Sequence, residues 1–381
     1  MTRTPGARTG RVGLPRVRLY ETVRTAHLER ARELAPASIL YRRRRYDFDA
    51  SLTAGLDLVE AGPLRAAVVL ARSDVREVEV NEPLMVSSLR RTAMALAAVD
   101  VRAALRRRPR PVVTTYAIAN DERPPVRPGA LGRARRLVDR ALVRHVARRV
   151  DRAVFGTAAA RDLYAAQAPA VLRARHTLLW ALPTPCACGP VGSPAPGSVL
   201  FVGAFEERKG VRQLLAAWPL VAAACPDARL TLVGTGPLLA DVEAFAAGRA
   251  DVEVVVDPPR SEVHRLQREH AVAVLLSQRT RTWREQVGLP VVEGLAHGCA
   301  VVATDETGLA DWLREHGHGV LPVSAGAAAV AQEVRARITR ARAASDVLAD
   351  LPAQDGRLAA DAWLFGPAGV TTDVRSGSDG G

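Results

Sequence analysis

The sequence predicts an α/β protein of two domains, of which the second contains a doubly wound sheet. Its 381 residues exceed the length of one ordinary domain, and its apolar fraction of 48% is enough for two cores. In the second half, short apolar runs alternate with segments of helical period, which is typical of a parallel sheet covered by helices on both faces. Residues 182–198, rich in Pro, Gly and Ser, indicate a linker between the two halves.

The second half gives the more regular pattern. Most of its predicted strands are continuous apolar runs, as expected where both faces of a sheet are buried. We predict strands at 199–205, 228–233, 252–256, 271–277, 300–304 and 319–323. We predict helices at 211–224, 237–247, 261–270 and 289–297.

The first half is less regular but also indicates an α/β domain. Its predicted strands are 17–20, 67–70, 75–80, 112–116 and 153–156, and its predicted helices are 23–34, 87–107 and 131–149. The predicted units are a first domain at 16–181, a linker at 182–198, a second domain at 199–345, a helix that returns to the first domain at 346–365, and a disordered tail at 366–381.

The net charge of +13 predicts an anionic partner. The Arg clusters are not interleaved with stacking aromatics, and no zinc-finger or RNA-recognition motif is present, so we predict no nucleic-acid partner. No apolar run is long enough to cross a bilayer, and the basic N-terminal segment lacks the apolar core of a secretory signal. The prediction is a cytoplasmic protein, with peripheral binding to the inner face of the cell membrane left open.

The sequence predicts neither a metal site nor a cofactor. Four cysteines, Cys186, Cys188, Cys225 and Cys299, are too few and too unevenly spaced for a disulfide framework. The Cys186-x-Cys188 pair has no second pair nearby to complete a zinc site. Asp47 and Asp49 form the only Asp-x-Asp pair, and we interpret them as part of a surface turn.

Two carboxylates, Glu285 and Glu293, bracket a Gly-Leu-Pro turn and a short apolar helix. Pro290 fits the first position of that helix, where a missing N–H has no consequence. The free N–H groups at a helix N-terminus favour a phosphate. The pattern predicts phosphate at the helix end, with carboxylates holding hydroxyls on either side.

The chain is rich in Arg but contains one Lys, Lys209, between a predicted strand and a predicted helix. Loops at the carboxyl ends of strands are where ligands bind in open α/β sheets. An ammonium group there suits a diphosphate. A solvated surface lysine is the alternative that the residue pattern alone leaves open.

Residues 199–323 resemble the retaining glycosyltransferases of family 4. The likeness rests on the FVG…RKG loop, the LVGTGP turn at 232–237, and the E-x7-E pair that leads into EGLAHGCAVVATD. In the first half it rests more loosely on VVTTYAIAN and DRAVFGTAAARDLY. The resemblance implies the GT-B architecture of two facing Rossmann-like domains. It also implies metal-independent transfer of a hexose from a nucleotide-diphosphate sugar to a lipid or glycan acceptor.

The same resemblance implies roles for individual residues. Lys209, helped by Arg208, would neutralise the donor diphosphate. Glu285 would hold hydroxyls of the transferred sugar, and Glu293 would hold those of the ribose. The remaining candidates are Gly288 and Leu289 for backbone contacts to phosphate or sugar, Gly234 and Gly236 for the turn near the base, and Tyr116 and Asn120 on the acceptor side.

Two positions depart from the family pattern. Ala204 occupies the place where many relatives carry Arg, and the first strand is followed by ETVRTAH rather than a Gly-rich loop. Two alternatives therefore stay open. One is a catalytically silent GT-B protein that binds a membrane or a polyanion, and the other is a nucleotide-sugar epimerase, for which the first half shows no convincing acid/base set.

The predicted helix at 131–149 is basic and amphipathic, a combination typical of helices that bind anionic membranes. An alternative is a packed helix with a solvated Arg face. Its apolar face carries Leu137, Val138, Ala141, Leu142 and Val146, and its Arg stripe carries Arg133, Arg136, Arg140, Arg144 and Arg148.

Overall fold

The computed structural model describes residues 10–46, 48–120, 129–188, 194–281 and 283–366. It contains two parallel sheets, each flanked by helices, and this is the GT-B architecture. The first sheet has seven strands in the order β3-β2-β1-β4-β5-β6-β7, and the second has six in the order β10-β9-β8-β11-β12-β13. In each sheet the direction of winding reverses at the first strand of that domain, which places a ligand crevice at its carboxyl edge. The predicted fold class is confirmed.

The first domain contains seven strands and five helices among the described residues. Its elements are β1 (Arg16–Val23), α1 (Thr25–Glu33), β2 (Ser38–Arg44), β3 (Leu58–Glu60), α2 (Pro63–Arg72), β4 (Glu77–Val80), α3 (Leu89–Leu105), β5 (Val112–Ala117), α4 (Ala130–Arg149), β6 (Arg152–Phe155), α5 (Ala158–Gln167) and β7 (Arg175–Leu178).

The second domain and the C-terminal helices follow. Their elements are β8 (Ala195–Val202), α6 (Val211–Ala224), β9 (Arg229–Gly234), α7 (Leu239–Ala246), β10 (Val252–Val256), α8 (Arg260–Glu269), β11 (His270–Leu275), α9 (Leu289–Ala296), β12 (Ala300–Thr304), α10 (Ala310–Glu315), β13 (Gly319–Leu321), α11 (Ala327–Thr339), α12 (Ala344–Ala349) and α13 (Gly356–Phe365).

All six predicted strands of the second half are present, because continuous apolar runs are buried on both faces of this sheet. β12 shows this most clearly, since all five of its residues are buried. The first of these strands begins earlier than predicted. β8 begins at Ala195, inside the predicted linker 182–198, and Ala195 pairs with His270 of β11.

The first half contains one wrong strand and several missed elements. The predicted strand 67–70 lies in α2, where Ala66, Val69 and Leu70 are buried on one face at helical spacing. β2 was missed because its four buried residues are followed by exposed arginines. β3 has only three residues and β7 has no fully buried residue, so neither gives a continuous apolar run. Helix α5, which begins soon after β6, was also missed.

Helix α13 packs on the first domain, where Ala360 and Leu364 are buried against Val154 and Leu179. The segment that leads into α13 also touches the chain that leaves the first domain. Gly356 N–H donates to the carbonyl oxygen of Leu182 at 2.8 Å, and a Cβ on Gly356 would lie 1.9 Å from the carbonyl oxygen of Trp180. Apart from Gly366, the predicted tail 366–381 lies outside the described residues, as does Asp47.

Candidate donor site and interdomain cleft

A cleft of about 1000 Å³ lies between the carboxyl edges of the two sheets. Tyr20, Glu82 and Tyr116 line the wall formed by the first domain. Glu285, Gly288 and Leu289 line the opposite wall, and Arg357 from α13 closes one side. Of the predicted site residues, Tyr116 on one wall and Glu285, Gly288 and Leu289 on the other face this common space.

Lys209 lies in a single 3-10 turn, Glu207–Lys209, that connects β8 to α6. Gly210 follows with a φ of 74°, in the left-handed region, and a Cβ there would lie 1.9 Å from the carbonyl oxygen of Leu276. Only glycine allows the turn to press against the end of β11 in this way. The turn places Lys209 next to Glu285, another predicted site residue. The Nζ of Lys209 lies 2.5 Å from Oε2 of Glu285.

Glu285 is buried, with 8% of its surface exposed. Besides Lys209, its Oε2 accepts a hydrogen bond from the Ser277 hydroxyl at 3.0 Å. Ser277 lies just beyond β11 and was not a predicted site residue. Two donors on one buried carboxylate oxygen fix the orientation of the Glu285 side chain.

A second cation lies beside Lys209. The Cζ of Arg208 is 4.7 Å, and the Nζ of Lys209 is 5.0 Å, from the centre of the Trp283 ring. Arg208 Nε also donates to Oε2 of Glu206 at 2.6 Å. Both cations of this turn thus lie near one aromatic ring, and each is paired with a carboxylate. Trp283 was missed because an isolated Trp in a charged loop gives no sequence signal.

The N-terminus of α9 begins at the edge of the cleft. Gly288 precedes the helix with a φ of 82°, Pro290 lies in the first turn, and Leu289 is 64% exposed. Glu293 lies one turn further along and is half-buried. Within the described residues its carboxylate has neither a hydrogen bond nor an ion pair, so it is available to a ligand.

Gly234 and Gly236 shape the loop after β9. A Cβ on Gly234, whose φ is 152°, would lie 1.9 Å from the carbonyl oxygen of Gly203. The N–H of Phe205 donates to the carbonyl oxygen of Thr235 at 2.9 Å. The loops after β8 and β9 therefore pack directly on each other, next to the turn that carries Lys209.

On the first domain, Tyr116 and Asn120 differ in position. Asn120 Nδ2 donates to the carbonyl oxygens of Glu285, at 2.5 Å, and Glu306, at 3.2 Å. It therefore joins the two domains rather than lining the cleft. The Tyr116 ring lines the cleft under Arg357, whose Cζ lies 4.9 Å from the ring centre, and burial raises the pKa of the Tyr116 hydroxyl.

Residues 196–340 match the family model described as glycosyl transferases, group 1. They form a group 1 glycosyltransferase domain. No curated protein matches the sequence.

Solved structures share the fold of this glycosyltransferase over nearly its whole length. The apo lipopolysaccharide outer core galactosyltransferase WaaB has a TM-score of 0.65 at 11% identity, covering 92% of this chain and 99% of its own. HepE from Anabaena in complex with UDP has a TM-score of 0.58 at 11% identity, with coverage of 92% and 96%. Sucrose-phosphate synthase from Thermosynechococcus elongatus has a TM-score of 0.54 at 16% identity, with coverage of 92% and 95%.

Two carboxylates that sequence reasoning missed, Glu79 and Glu82, also line the cleft of the glycosyltransferase. Glu79 pairs with Arg18 at 2.9 Å and with Arg357. Glu82 accepts the N–H groups of Ile118 and Ala119, each at 3.1 Å. Both are engaged as acceptors by the fold, which makes them poor acid/base groups for the epimerase alternative.

The prediction of no metal site rested on the lack of a second ligand pair near Cys186 and Cys188 in the sequence. In the structure, His264 and His297 lie beside Cys186 and Cys188. His264 lies in α8 and His297 directly follows α9, both far from the cysteines along the chain, so no local spacing reveals them.

Several apolar side chains of helix α4 are exposed to solvent. Leu131 is 89%, Leu137 65% and Val138 49% exposed, whereas Val146 and Ala147 near its C-terminus are buried. No helix among the described residues combines the length and apolar character needed to span a bilayer.

Proposed function

We propose that this glycosyltransferase moves a hexose from a nucleotide-diphosphate sugar to a lipid or glycan acceptor, with retention at the anomeric carbon and without a catalytic metal. The contact between Lys209 and Glu285 at the cleft is the observation that carries the proposal. It brings a diphosphate-binding cation and a hydroxyl-binding carboxylate together next to the N-terminus of α9.

The main chemical requirement is to stabilise negative charge on the departing diphosphate. As the bond between the anomeric carbon and the phosphate oxygen breaks, Lys209 and Arg208 lie where that charge develops. The N–H groups at the start of α9 add positive partial charge. These groups supply the stabilisation that a bound divalent cation would otherwise provide.

In the proposed complex, the diphosphate takes the ammonium of Lys209 as its partner and Glu285 turns to the hydroxyls of the sugar. Glu293 holds the ribose hydroxyls. The acceptor hydroxyl attacks from the face that the leaving group vacates, and its proton passes to the departing phosphate oxygen. This same-face route gives retention without a protein nucleophile.

Nucleotide binding provides the first test. The thermal midpoint of the full chain is measured with UDP, GDP, ADP and dTDP, beginning with UDP because HepE was solved in complex with it. We expect one diphosphate to raise the midpoint equally with and without added Mg²⁺. Lys209→Met should abolish the shift, whereas Arg212→Met, which removes an exposed cation from α6, should keep it.

Transfer is tested with the matching nucleotide hexose and a lipid or glycan acceptor. The anomeric configuration of the product, read by NMR coupling constants, should equal that of the donor. An inverted product would overturn the retaining mechanism. No midpoint shift with any nucleotide would favour the catalytically silent alternative, for which Ala204 is the specific observation.

We propose that the acceptor is reached at an anionic membrane surface through α4. The exposed Leu137 and Val138 lie on the same helix as a stripe of arginines. Such a face combines apolar area with attraction to anionic headgroups. It would place the cleft next to a lipid-linked acceptor.

A further inference from the structure

Four side chains of metal-ligating type converge where the interdomain linker crosses α8 and α9. Cys186 and Cys188 come from the linker, His264 comes from α8, and His297 directly follows α9. One ligand atom from each lies within 4.8 Å of all the others. Two thiols and two imidazoles form the donor set of structural zinc sites.

The spacing is close to that of a bound ion. Zinc–sulfur bonds of about 2.3 Å and zinc–nitrogen bonds of about 2.0–2.1 Å put tetrahedral ligand atoms roughly 3.3–3.8 Å apart. The Sγ of Cys188 already lies 3.2 Å from Nε2 of His297. We propose that Cys186, Cys188, His264 and His297 bind one zinc ion.

The surroundings orient the ligands. Nδ1 of His297 lies 2.6 Å from the carbonyl oxygen of Glu293, and an N–H donated there leaves the Nε2 lone pair facing Cys188. This outer hydrogen bond is the usual support of a metal-binding histidine. Arg260 Nε lies 3.4 Å from Nε2 of His264, a long hydrogen bond that is kept or lost according to which ring nitrogen binds the ion.

Backbone contacts hold the linker over the two helices. The N–H of Cys186 donates to the carbonyl oxygen of Ala296 at 2.8 Å, and Arg268 Nη1 donates to the carbonyl oxygen of Cys188 at 2.9 Å. These two hydrogen bonds hold the main chain of Cys186 and Cys188 in place, so that both thiols lie within the cluster. Binding releases two thiol protons to solvent as two zinc–sulfur bonds form, and two thiolates balance the charge of the ion.

Four protein ligands close the coordination sphere, so the ion has a structural role rather than a catalytic one. It fastens the linker to the C-terminal end of α9, whereas the proposed donor site lies at the N-terminal end. This inference does not depend on the proposed function. Chelation should lower the thermal midpoint of the protein and leave the diphosphate-induced shift in place.

Metal content gives the direct test. Full-length protein is purified with a reductant and without chelator, and its zinc is measured by mass spectrometry of the elements. We expect about one zinc per chain. The Cys186→Ser/Cys188→Ser double variant and His264→Ala should lose it, whereas Cys225→Ser and His176→Ala, outside the cluster, should keep it. Zinc retained by the double cysteine variant would overturn the proposal.

A second measurement uses the wild-type chain and so does not depend on variants that fold. Iodoacetamide labelling of the zinc-loaded and the chelator-treated protein is compared by peptide mass spectrometry. Zinc should protect Cys186 and Cys188 and leave the labelling of Cys225 unchanged. Equal labelling of Cys186 and Cys188 with and without zinc, or a disulfide between them in reduced protein, would contradict a metal site.

Discussion

The two domains place their buried charges differently. In the first domain, Arg18 is 1% exposed and pairs with Glu79 at 2.9 Å and with Asp361 of α13 at 2.6 Å. In the second domain, the pair of Lys209 and Glu285 lies at the edge of the cleft. A buried ion pair contributes little net stability, because desolvation offsets the attraction. The Arg18 network therefore fixes the position of α13 on the first domain. The Lys209–Glu285 pair instead lies where a ligand in the cleft could contact it.

Breaking the network in the first domain should have the largest effect. Arg18→Met leaves the carboxylates of Glu79 and Asp361 without this partner, and we expect the free energy of unfolding to fall by about 3–5 kcal/mol. Urea denaturation measures it. Arg108→Met, which removes an exposed partner of Asp74, should change it by less than about 0.5 kcal/mol. Equal effects of the two substitutions would contradict a structural role for the Arg18 network.

The pair in the second domain should matter for activity instead. Lys209→Met should raise the activation barrier for transfer by about 2–4 kcal/mol, because one stabilising charge is lost in the transition state. The decisive measurement is kcat/KM, with Arg212→Met as the matched loss of an exposed cation. Wild-type kcat/KM in Lys209→Met would show that the site is wrongly placed.

The second domain should also be the more acid-sensitive one. Burial lowers the pKa of His318 to about 4, and the ring accepts the N–H of Val301 at 3.2 Å. Between about pH 6.5 and 4 the unfolded chain binds a proton that the folded chain excludes, so stability falls as pH falls through this window.

The size of this loss is roughly 2–3 kcal/mol. His318→Asn keeps an acceptor for Val301 but does not titrate. Its free energy of unfolding, measured across the same window, should therefore depend less steeply on pH than that of wild type. Parallel pH profiles would rule out His318 as the cause.

A milder effect is expected at Glu293. Its carboxylate has no partner within the described residues, so Glu293→Ala should leave stability nearly unchanged and weaken donor binding by about 1–3 kcal/mol. Calorimetric titration with the preferred diphosphate tests this, with Glu315→Ala as the control on the exposed surface. Identical affinities for the two variants would remove Glu293 from the donor site.

The smallest effect on stability is expected on α4. Leu137→Ser/Val138→Ser removes exposed apolar groups, so unfolding should change by less than about 0.5 kcal/mol per site. Co-sedimentation with vesicles containing anionic lipid should nevertheless decrease. Wild-type protein that does not co-sediment, or binding that salt leaves unchanged, would end the membrane proposal.

The contrast between the domains also explains which strands and helices could be predicted from the sequence. The strands of the second half were found because buried parallel strands are continuous apolar runs, as in β12. In the first half, the apolar spacing of α2 was mistaken for a strand, and the arginines that end β2 hid its buried half.

For the site, the family resemblance assigned Lys209 and Glu285 to the same donor site, and in the structure their side chains are in contact at 2.5 Å. Ser277 and Trp283 were missed, since their importance comes from where the chain folds rather than from their neighbours in sequence. The same holds for His264 and His297. They approach the linker cysteines only because α8 and α9 pack beneath it.

The contact between Gly356 and the segment around Trp180 has a mechanical consequence. The chain passes from one domain to the other twice, and the two passages touch at this glycine, where no side chain fits. Two covalent connections that meet at one point restrict how the domains could move relative to each other. A hinge opening of the cleft would therefore have its axis beside Gly356.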